Sequence, residues 1–133
     1  MQKGDKKMDN RRVKHIIDKD NNVVVAEIND CYYDAMALLN HKFVKNVTSG
    51  MCVSPTCANN CKFEMNPTYR AVAHLHPEDE WNEKRGKDIA IDKLTEKYHH
   101  SMNKRLALFA EDFRKIADEI DAYLESKNFQ KNV

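Results

Sequence analysis

Glycine, proline and tryptophan are scarce in this sequence: its 133 residues include three glycines, three prolines and a single tryptophan. Phosphate-binding loops need closely spaced glycines, and no such loop is present. The chain also lacks a nucleophile elbow and a metalloprotease motif. No acidic pair with a recognisable catalytic spacing occurs. These absences predict a protein that binds its target without cofactor or catalysis, and not an enzyme.

A large net charge and a long apolar run are missing as well. The formal net charge is +1, which gives no electrostatic reason to expect nucleic-acid binding. No segment approaches the roughly 18 apolar residues that would span a bilayer. Residues 1–10 are polar and lack the apolar core of a signal peptide, so we predict a disordered tail and a cytoplasmic protein. The length predicts one domain over residues 11–133.

Two β-branched runs near the start of the chain predict a β-hairpin. They are Arg11–Ile17 and Val23–Ile28, and the turn-forming residues 18–22 separate them. The second run is continuously apolar at Val23–Ala26, which predicts a strand covered on both faces or nearly so.

The middle of the chain predicts a helix, a loop and a strand. Helical spacing of apolar residues covers Asp34–Val47, with Asp30 or Asp34 as the possible cap. Residues 51–67 predict a loop with at most one short strand near Cys61–Met65. Alternation over Tyr69–Leu75 predicts a strand with one wet face.

The C-terminal third of the chain predicts a long amphipathic helical segment. Residues 83–127 contain no proline and one glycine, Gly86, and Asn82 is placed to cap the first turn. The segment either breaks near His99–Ser101 or projects and packs on a partner chain. Its first half is rich in bases and its second half in acids, which favours antiparallel packing. Apolar residues recur in steps of three and four at Ile91, Leu94, Tyr98, Met102, Leu106, Phe109, Phe113, Ile116, Ile120 and Tyr123.

These elements together predict an α+β fold. It consists of a small antiparallel sheet packed with a short helix and a long C-terminal helix or helical hairpin.

Cysteine and histidine offer the main alternative chemistry. Cys52, Cys57 and Cys61 have spacings compatible with zinc, and His74 or His76 could complete a site. A loop that happens to contain partly buried thiols is the simpler interpretation, and we predict no metal site.

Trp81 is the most conspicuous candidate for ligand binding. It precedes a helix N-terminus with Lys84, Arg85 and Lys87 nearby, a setting suited to a nucleotide whose base stacks on the ring. Packing of Trp81 between the turn and the helix explains the same residue equally well.

Two parts of the sequence carry a resemblance to a known family. The first combines Asn22–Ile28 with Tyr33–Ala35 and a following helix. The second combines Tyr69–Asn82, which reads YRAVAHLHPEDEWN, with Gly86–Ala90 and Lys97–Tyr98. This arrangement resembles small phage and prophage proteins of clostridia and bacilli, and is similar to the first family of Thoeris anti-defence proteins. The resemblance covers about residues 12–45 and 68–106.

The resemblance implies a function in immune evasion. Members of that family bind the cyclic ADP-ribose isomers that serve as alarm signals in the host Thoeris system, and they do not cleave them. They combine a small antiparallel sheet with helices and form dimers or higher oligomers, and some also hold cyclic trinucleotides at a separate site. The expected protein is therefore a cytoplasmic homo-oligomer that sequesters a nucleotide signal, with no membrane and no nucleic acid as partner.

The resemblance also suggests ligand-binding residues. Trp81 would stack on a bound adenine, where the family more often has phenylalanine. Basic side chains would meet the pyrophosphate; by residue type and place these are Arg105 and Arg114, then Lys84 and Arg70. The cysteine-containing loop has no counterpart in the family pattern.

Two other functions remain open at this point. One is a phage inhibitor that binds a host defence protein directly, as anti-CRISPR proteins do, through the long charged helix. The other is a small zinc-stabilised module that binds nucleic acid, although the near-neutral charge opposes it.

Overall fold

The computed structural model describes residues 12–44 and 62–126. Within these residues the fold is α+β, as predicted: a three-stranded antiparallel sheet, a short helix and a long C-terminal helix. The strands lie side by side in the order β1-β2-β3. The elements are β1 (Val13–Asp18), β2 (Val23–Ile28), α1 (Asp34–Leu38), β3 (Tyr69–His74) and α2 (Glu83–Ser126).

The predicted hairpin is confirmed as β1 and β2. A single 3-10 turn, Lys19–Asn21, connects them, and Asn22 takes the left-handed conformation with φ of 56°. Asp18 holds the turn in place, because its carboxylate accepts hydrogen bonds from the backbone N–H of Asn21 at 3.3 Å and from its side-chain amide at 2.7 Å. Asparagine tolerates the left-handed region better than most residues, which explains its position here.

The central strand β2 has one fully buried face. Val24 and Ala26 are 0% exposed beneath α2, whereas Val23 and Val25 on the other face are only partly buried. The continuous apolar run is therefore the central strand of the sheet. The prediction that both faces of this strand are covered, or nearly so, holds in full for one face only.

The helix predicted from Asp34 begins at that residue but changes character. α1 runs Asp34–Leu38, and the chain continues as a π-helical segment, Leu39–Val44. Neither predicted acidic cap is used: the residue at the cap position is Tyr33, without a side-chain hydrogen bond to the helix. Asp34 instead turns its carboxylate towards other segments, as described below. The end predicted at residues 45–47 lies outside the described residues.

The predicted strand near Tyr69 is confirmed with its alternation. Tyr69, Ala71 and Ala73 are buried and face α2, while Arg70 and His74 are exposed. No strand lies in residues 62–65: residues 62–63 are 3-10 helical, and irregular chain follows them before β3.

The long helix α2 is unbroken. Asn82 caps it as predicted, since its side-chain oxygen accepts a hydrogen bond of 3.0 Å from the backbone N–H of Arg85. No break occurs at His99–Ser101, so the helical-hairpin alternative is wrong. With 44 residues the helix is about 66 Å long.

The first half of α2 forms the core with the sheet. Gly86, Ala90, Leu94, Ser101 and Met102 are its buried residues. Small residues at the first two positions let the helix lie close to β2. A second, smaller cluster joins Met36, Leu39 and Phe63 to the middle of α2 at Leu106 and Phe109.

Candidate functional site

The N-terminal end of α2 carries the predicted aromatic residue. Trp81 is half-buried and packs against the main core, directly before the capping residue Asn82. The preceding turn is fixed by His76, whose Nδ1 accepts a hydrogen bond of 3.2 Å from the backbone N–H of Glu78. Packing of Trp81 on the core agrees with one of the two interpretations that the sequence left open, and part of the residue remains exposed for the other, which stays a prediction.

The charges around Trp81 are balanced by local ion pairs. Lys84 bonds to Asp88 at 3.1 Å, and Lys87 bonds to Glu83 at 3.0 Å, each one helical turn apart. The Lys84 side chain is 88% exposed, and such an exposed pair holds its partners weakly. A phosphate group near the helix end could therefore replace Asp88 as the partner of Lys84 with little loss of free energy.

The other three predicted ligand residues lie elsewhere in the chain. Arg70 is on the sheet face that points away from α2, where its Nη2 donates to Glu27 Oε1 at 2.6 Å. Arg105 is 24 residues beyond Trp81, about 36 Å along the helix axis. Arg114 is exposed, a further nine residues on. The structure brings Trp81 and Lys84 to one end of α2 and does not bring the five residues together within a single chain.

Arg70 and Glu27 form a charged pair across β2 and β3. The two residues are direct cross-strand partners in the sheet register. Hydrogen bonding from the Arg70 guanidinium lowers the pKa of the Glu27 carboxyl group. Arg70 thus holds together two strands, and binding a ligand would require it to leave this carboxylate.

Arg105 has a defined structural contact. Its Nε donates to the backbone oxygen of Glu64 at 3.1 Å, and its Nη1 donates to the hydroxyl oxygen of Ser101 at 2.9 Å. The Ser101 hydroxyl also bonds to the hydroxyl group of Tyr69 on β3. The guanidinium therefore fastens the segment before β3 to the helix, which limits its freedom to reach a ligand.

A polar cluster that the sequence did not predict joins three segments. The Asp34 Oδ2 atom accepts from Arg12 Nη1 at 3.1 Å and from the Tyr98 hydroxyl at 2.6 Å. The Cys31 thiol lies beside them, 3.8 Å from Arg12 Nη2. Burial raises the pKa of the Tyr98 hydroxyl, and the hydrogen bond to Asp34 adds to the effect. No sequence signal marks this cluster, because 22 and 64 residues separate its members.

The buried thiol in this cluster is poorly suited to nucleophilic chemistry. Cys31 is 0% exposed, and burial with the nearby Asp34 charge raises its pKa to about 11. The reactive form of cysteine is the thiolate, which this environment disfavours at neutral pH.

A shallow groove on α2 is lined by Lys93, Glu96, Lys97 and His100, with a volume of about 360 Å³. Two of its lysines are engaged with the outer edge of β3. Lys93 Nζ donates to the carbonyl oxygen of Val72 at 3.2 Å, and Lys97 Nζ donates to that of Arg70 at 2.9 Å. The two lysines of the groove therefore act as hydrogen-bond donors to the carbonyl groups at the sheet edge.

The spacing of these lysines could have been noticed in the sequence. Four residues of helix advance about 6 Å, and two residues of strand advance about 6.6 Å. Lysines at i and i+4 on a helix thus match alternate carbonyl groups on a strand that runs beside it.

The described residues form neither a metal-ligand cluster nor a helix that could cross a membrane. In residues 12–44 and 62–126, no three His, Cys, Asp or Glu side chains cluster as metal ligands would. The cysteines of the zinc alternative, Cys52, Cys57 and Cys61, lie outside this part of the chain. None of the described helices combines the length and the apolar composition that crossing a bilayer requires.

Comparisons with family models, with curated proteins and with solved structures find no match to this chain. What the fold defines is its class, a small α+β protein with one exceptionally long helix. The resemblance to the Thoeris anti-defence proteins accordingly rests on the motifs quoted from the sequence.

Proposed function

We propose that this protein binds and sequesters a small anionic nucleotide of the cyclic ADP-ribose type, without cleaving it. Its biological role would be that of a phage anti-defence protein in the host cytoplasm, which removes the alarm signal of a Thoeris system. The observation that carries the proposal is the half-buried side chain of Trp81, which remains partly exposed beside the first turn of α2. Support for the signalling role comes from the sequence motifs that resemble that family.

The surroundings of Trp81 suit such a ligand physically. An adenine ring can stack on the exposed part of the indole while the buried part keeps the indole in position. Lys84 lies within one helical turn, and its ion pair with Asp88 is exposed and exchangeable. Charge-assisted hydrogen bonds to a pyrophosphate are stronger than those between neutral groups.

Sequestration of a ligand requires no acid–base chemistry from the protein. Binding alone lowers the free concentration of a signal when the protein is in excess. The only described cysteine, Cys31, has a thiol that burial keeps protonated at neutral pH. This property agrees with a structural role for the polar cluster around Asp34.

Calorimetric titration with cyclic ADP-ribose isomers tests the proposal. Replacing Trp81 by Ala should weaken binding by roughly 5- to 150-fold, because a lost base stack is worth roughly 1–3 kcal/mol. Trp81→Phe keeps a flat ring and should retain most of the affinity. Cyclic trinucleotides belong in the same titration, since they would occupy a separate site and remain insensitive to Trp81.

The fate of the ligand decides between sequestration and hydrolysis. Heating the complex should release intact ligand, and recovery of a cleaved product would make the protein an enzyme. If no isomer binds the native protein at millimolar concentration, the nucleotide proposal is wrong. If the Trp81→Ala variant binds the ligand as tightly as the native protein does, sequestration would still hold, but the binding site would lie elsewhere.

A further inference from the structure

The outer edge of β3 presents backbone groups that no strand among the described residues covers. The sheet order β1-β2-β3 leaves β3 with a single neighbouring strand. The N–H of Leu75 donates to the carbonyl oxygen of Asn22, so every second residue back along β3, beginning with Ala73, bonds to β2. The N–H and C=O groups of Arg70 and Val72 therefore point outwards. Such an edge is a template for pairing with another extended chain.

Two lysines of α2 lie over this edge and are held there by hydrogen bonds. Lys93 Nζ donates to the carbonyl oxygen of Val72 at 3.2 Å, and Lys97 Nζ donates to that of Arg70 at 2.9 Å. We call Lys93 and Lys97 the lysine pair. An ammonium group has three N–H donors, and one contact with a carbonyl oxygen uses only one of them. Each lysine can therefore keep its contact with the edge and donate to a further acceptor.

The surroundings of the lysine pair are mainly basic. The pair lines a groove of about 360 Å³ together with Glu96 and His100. At 100° of rotation per residue, Lys93, Lys97, His100 and Lys104 fall within an arc of about 60° on one side of the helix. Three lysines in and beside the groove thus outweigh the one carboxylate that lines it. This balance predicts an anionic ligand.

The spacing of the lysine pair matches the side chains of an extended peptide. Four residues of helix advance about 6 Å, and alternate side chains on one face of a strand lie about 6.6 Å apart. Carboxylates at alternate positions of a chain beside β3 would therefore meet Lys93 and Lys97 in turn. The carbonyl oxygens of that chain would accept from the N–H groups of Arg70 and Val72. The carbonyl oxygens of these two residues each have a second lone pair, which can accept from the N–H groups of the added chain.

A polypeptide suits this edge better than a nucleic acid does. Single-stranded nucleic acids are held by aromatic side chains on which the bases stack. No Phe, Tyr or Trp is present among the described residues that line the groove. The backbone edge, by contrast, offers donors and acceptors in the periodic order that a further strand would match.

We propose that the outer edge of β3 and the lysine pair bind an extended acidic segment of another protein, which adds to the sheet beside β3. Its recognition element is two glutamate or aspartate residues separated by one residue. Charge sets the specificity, because the lysine pair repels basic segments and forms charge-assisted hydrogen bonds with carboxylates. Lys93 lies about 15 Å along α2 from Glu83, so this site is separate from the one proposed at Trp81 and does not depend on nucleotide binding.

Fluorescence anisotropy with labelled synthetic peptides tests the proposal on the native full chain. The probe is a short peptide in which glutamate alternates with threonine. The matched control has the same composition, but its glutamates stand in adjacent pairs separated by two threonines, so no two of them have the alternate spacing. The alternating peptide should bind about tenfold more tightly than the control, because only its carboxylates reach both lysines from one face of a strand.

Variants that remove single charges locate the site. Lys93→Gln and Lys97→Gln should each weaken binding of the alternating peptide roughly fivefold, because a neutral amide replaces a charged donor. Lys115→Gln is the matched control: the Lys115 side chain is 69% exposed on the same helix, far beyond the end of β3, and its replacement should leave the affinity unchanged. Glu96→Gln removes the carboxylate that lines the groove and should strengthen binding.

Hydrogen exchange of the backbone amides, followed by NMR, tests the strand pairing itself. A saturating concentration of the alternating peptide should slow exchange of the Arg70 and Val72 N–H groups about tenfold. The N–H groups of His15 and Ile17 point outwards at the opposite edge of the sheet, on β1. They should exchange as they do in the free protein.

Several results would overturn the proposal. Equal affinity for the alternating and the paired peptide would show that the groove recognises charge without a strand. Slower exchange at His15 and Ile17 in place of Arg70 and Val72 would place the peptide on β1. Heparin that binds more tightly than the peptide, and loses affinity in the same lysine variants, would make the groove a general polyanion site. Absence of peptide binding at about 1 mM would remove the site altogether.

Discussion

The hydroxyl group of Tyr98, near the middle of the long helix, donates a hydrogen bond of 2.6 Å to the carboxylate of Asp34 at the start of α1. The same carboxylate oxygen accepts a hydrogen bond from Arg12, just before β1. One acidic side chain therefore fastens the N-terminal strand and the short helix to α2. The arrangement explains why Asp34 does not act as a helix cap.

Removing the Tyr98 hydroxyl should destabilise the fold. In Tyr98→Phe the ring keeps its edge contact with Tyr69, but Asp34 loses the hydrogen bond from the Tyr98 hydroxyl. We expect a loss of about 1–2 kcal/mol in the free energy of unfolding, measured by urea denaturation. Tyr33→Phe is the control, because the Tyr33 side chain is 52% exposed and should tolerate loss of its hydroxyl. Equal losses in the two variants would contradict the role given to the Asp34 contact.

Replacing Gly86 should destabilise the packing of α2 on the sheet. A Cβ atom at this position would lie 2.5 Å from Val24 Cγ2, inside the fully buried face of β2. Gly86→Ala should therefore lower the free energy of unfolding by roughly 1–3 kcal/mol, although alanine is the better helix former by about 1 kcal/mol.

The sign of the Gly86 effect is diagnostic. At an exposed position of the same helix, Asn103→Ala should be neutral or slightly stabilising. A Gly86→Ala protein that melts at or above the native temperature would show that the helix does not approach Val24 as closely as described.

Stability should fall in the alkaline range, partly through Cys31. Burial raises its pKa to about 11 from an ordinary value of 9.0. Because the folded state then holds the proton more tightly than the unfolded state, this stabilisation is complete below pH 9 and is lost as the pH rises towards 11. The midpoint of thermal unfolding, recorded between pH 8 and 11, should decline less steeply in Cys31→Ala. Parallel declines in the two proteins would assign the alkaline transition to other groups, of which Tyr98 is the first candidate.

The two lysines on the outer edge of β3 should protect the protein from association through that strand. In a Lys93→Met, Lys97→Met double variant, the carbonyl groups of Val72 and Arg70 lose their side-chain partners and the edge loses two charges. Light scattering during incubation at elevated temperature should show faster aggregation than for the native chain. Lys104→Met removes a similar exposed charge without touching the strand, so aggregation of this variant at the same increased rate would argue against edge protection.

The sequence predicted the regular elements well, for identifiable reasons. The alternation at Tyr69–His74 reflects a strand with one face against a helix, and the cap at Asn82 follows from side-chain chemistry that acts within one turn. The length of α2 was visible in the absence of proline. The sequence did not show whether this segment is one helix or two, because an interruption of the helix at His99–Ser101 depends on tertiary packing and not on local propensity.

The candidate site was harder to predict than the fold. Residue type suggested Arg105 as a ligand for phosphate, but its guanidinium bonds to Glu64 and Ser101, two groups whose proximity depends on the tertiary structure. The contact between Asp34 and Tyr98 spans 64 residues and has no periodic signature. Local sequence patterns place Trp81 at the start of a helix. Which distant side chains come together can be seen only in the folded structure.

Because α2 is unbroken, its C-terminal end lies far from the point where the helix packs on the sheet. Its first turns are clamped where Gly86 meets Val24, and its last residue, Ser126, lies 40 residues beyond that point, or about 60 Å. Each degree of tilt at the clamp therefore displaces the tip by about 1 Å. A small change in the angle of the helix at the Trp81 end would therefore produce a much larger displacement at Ser126.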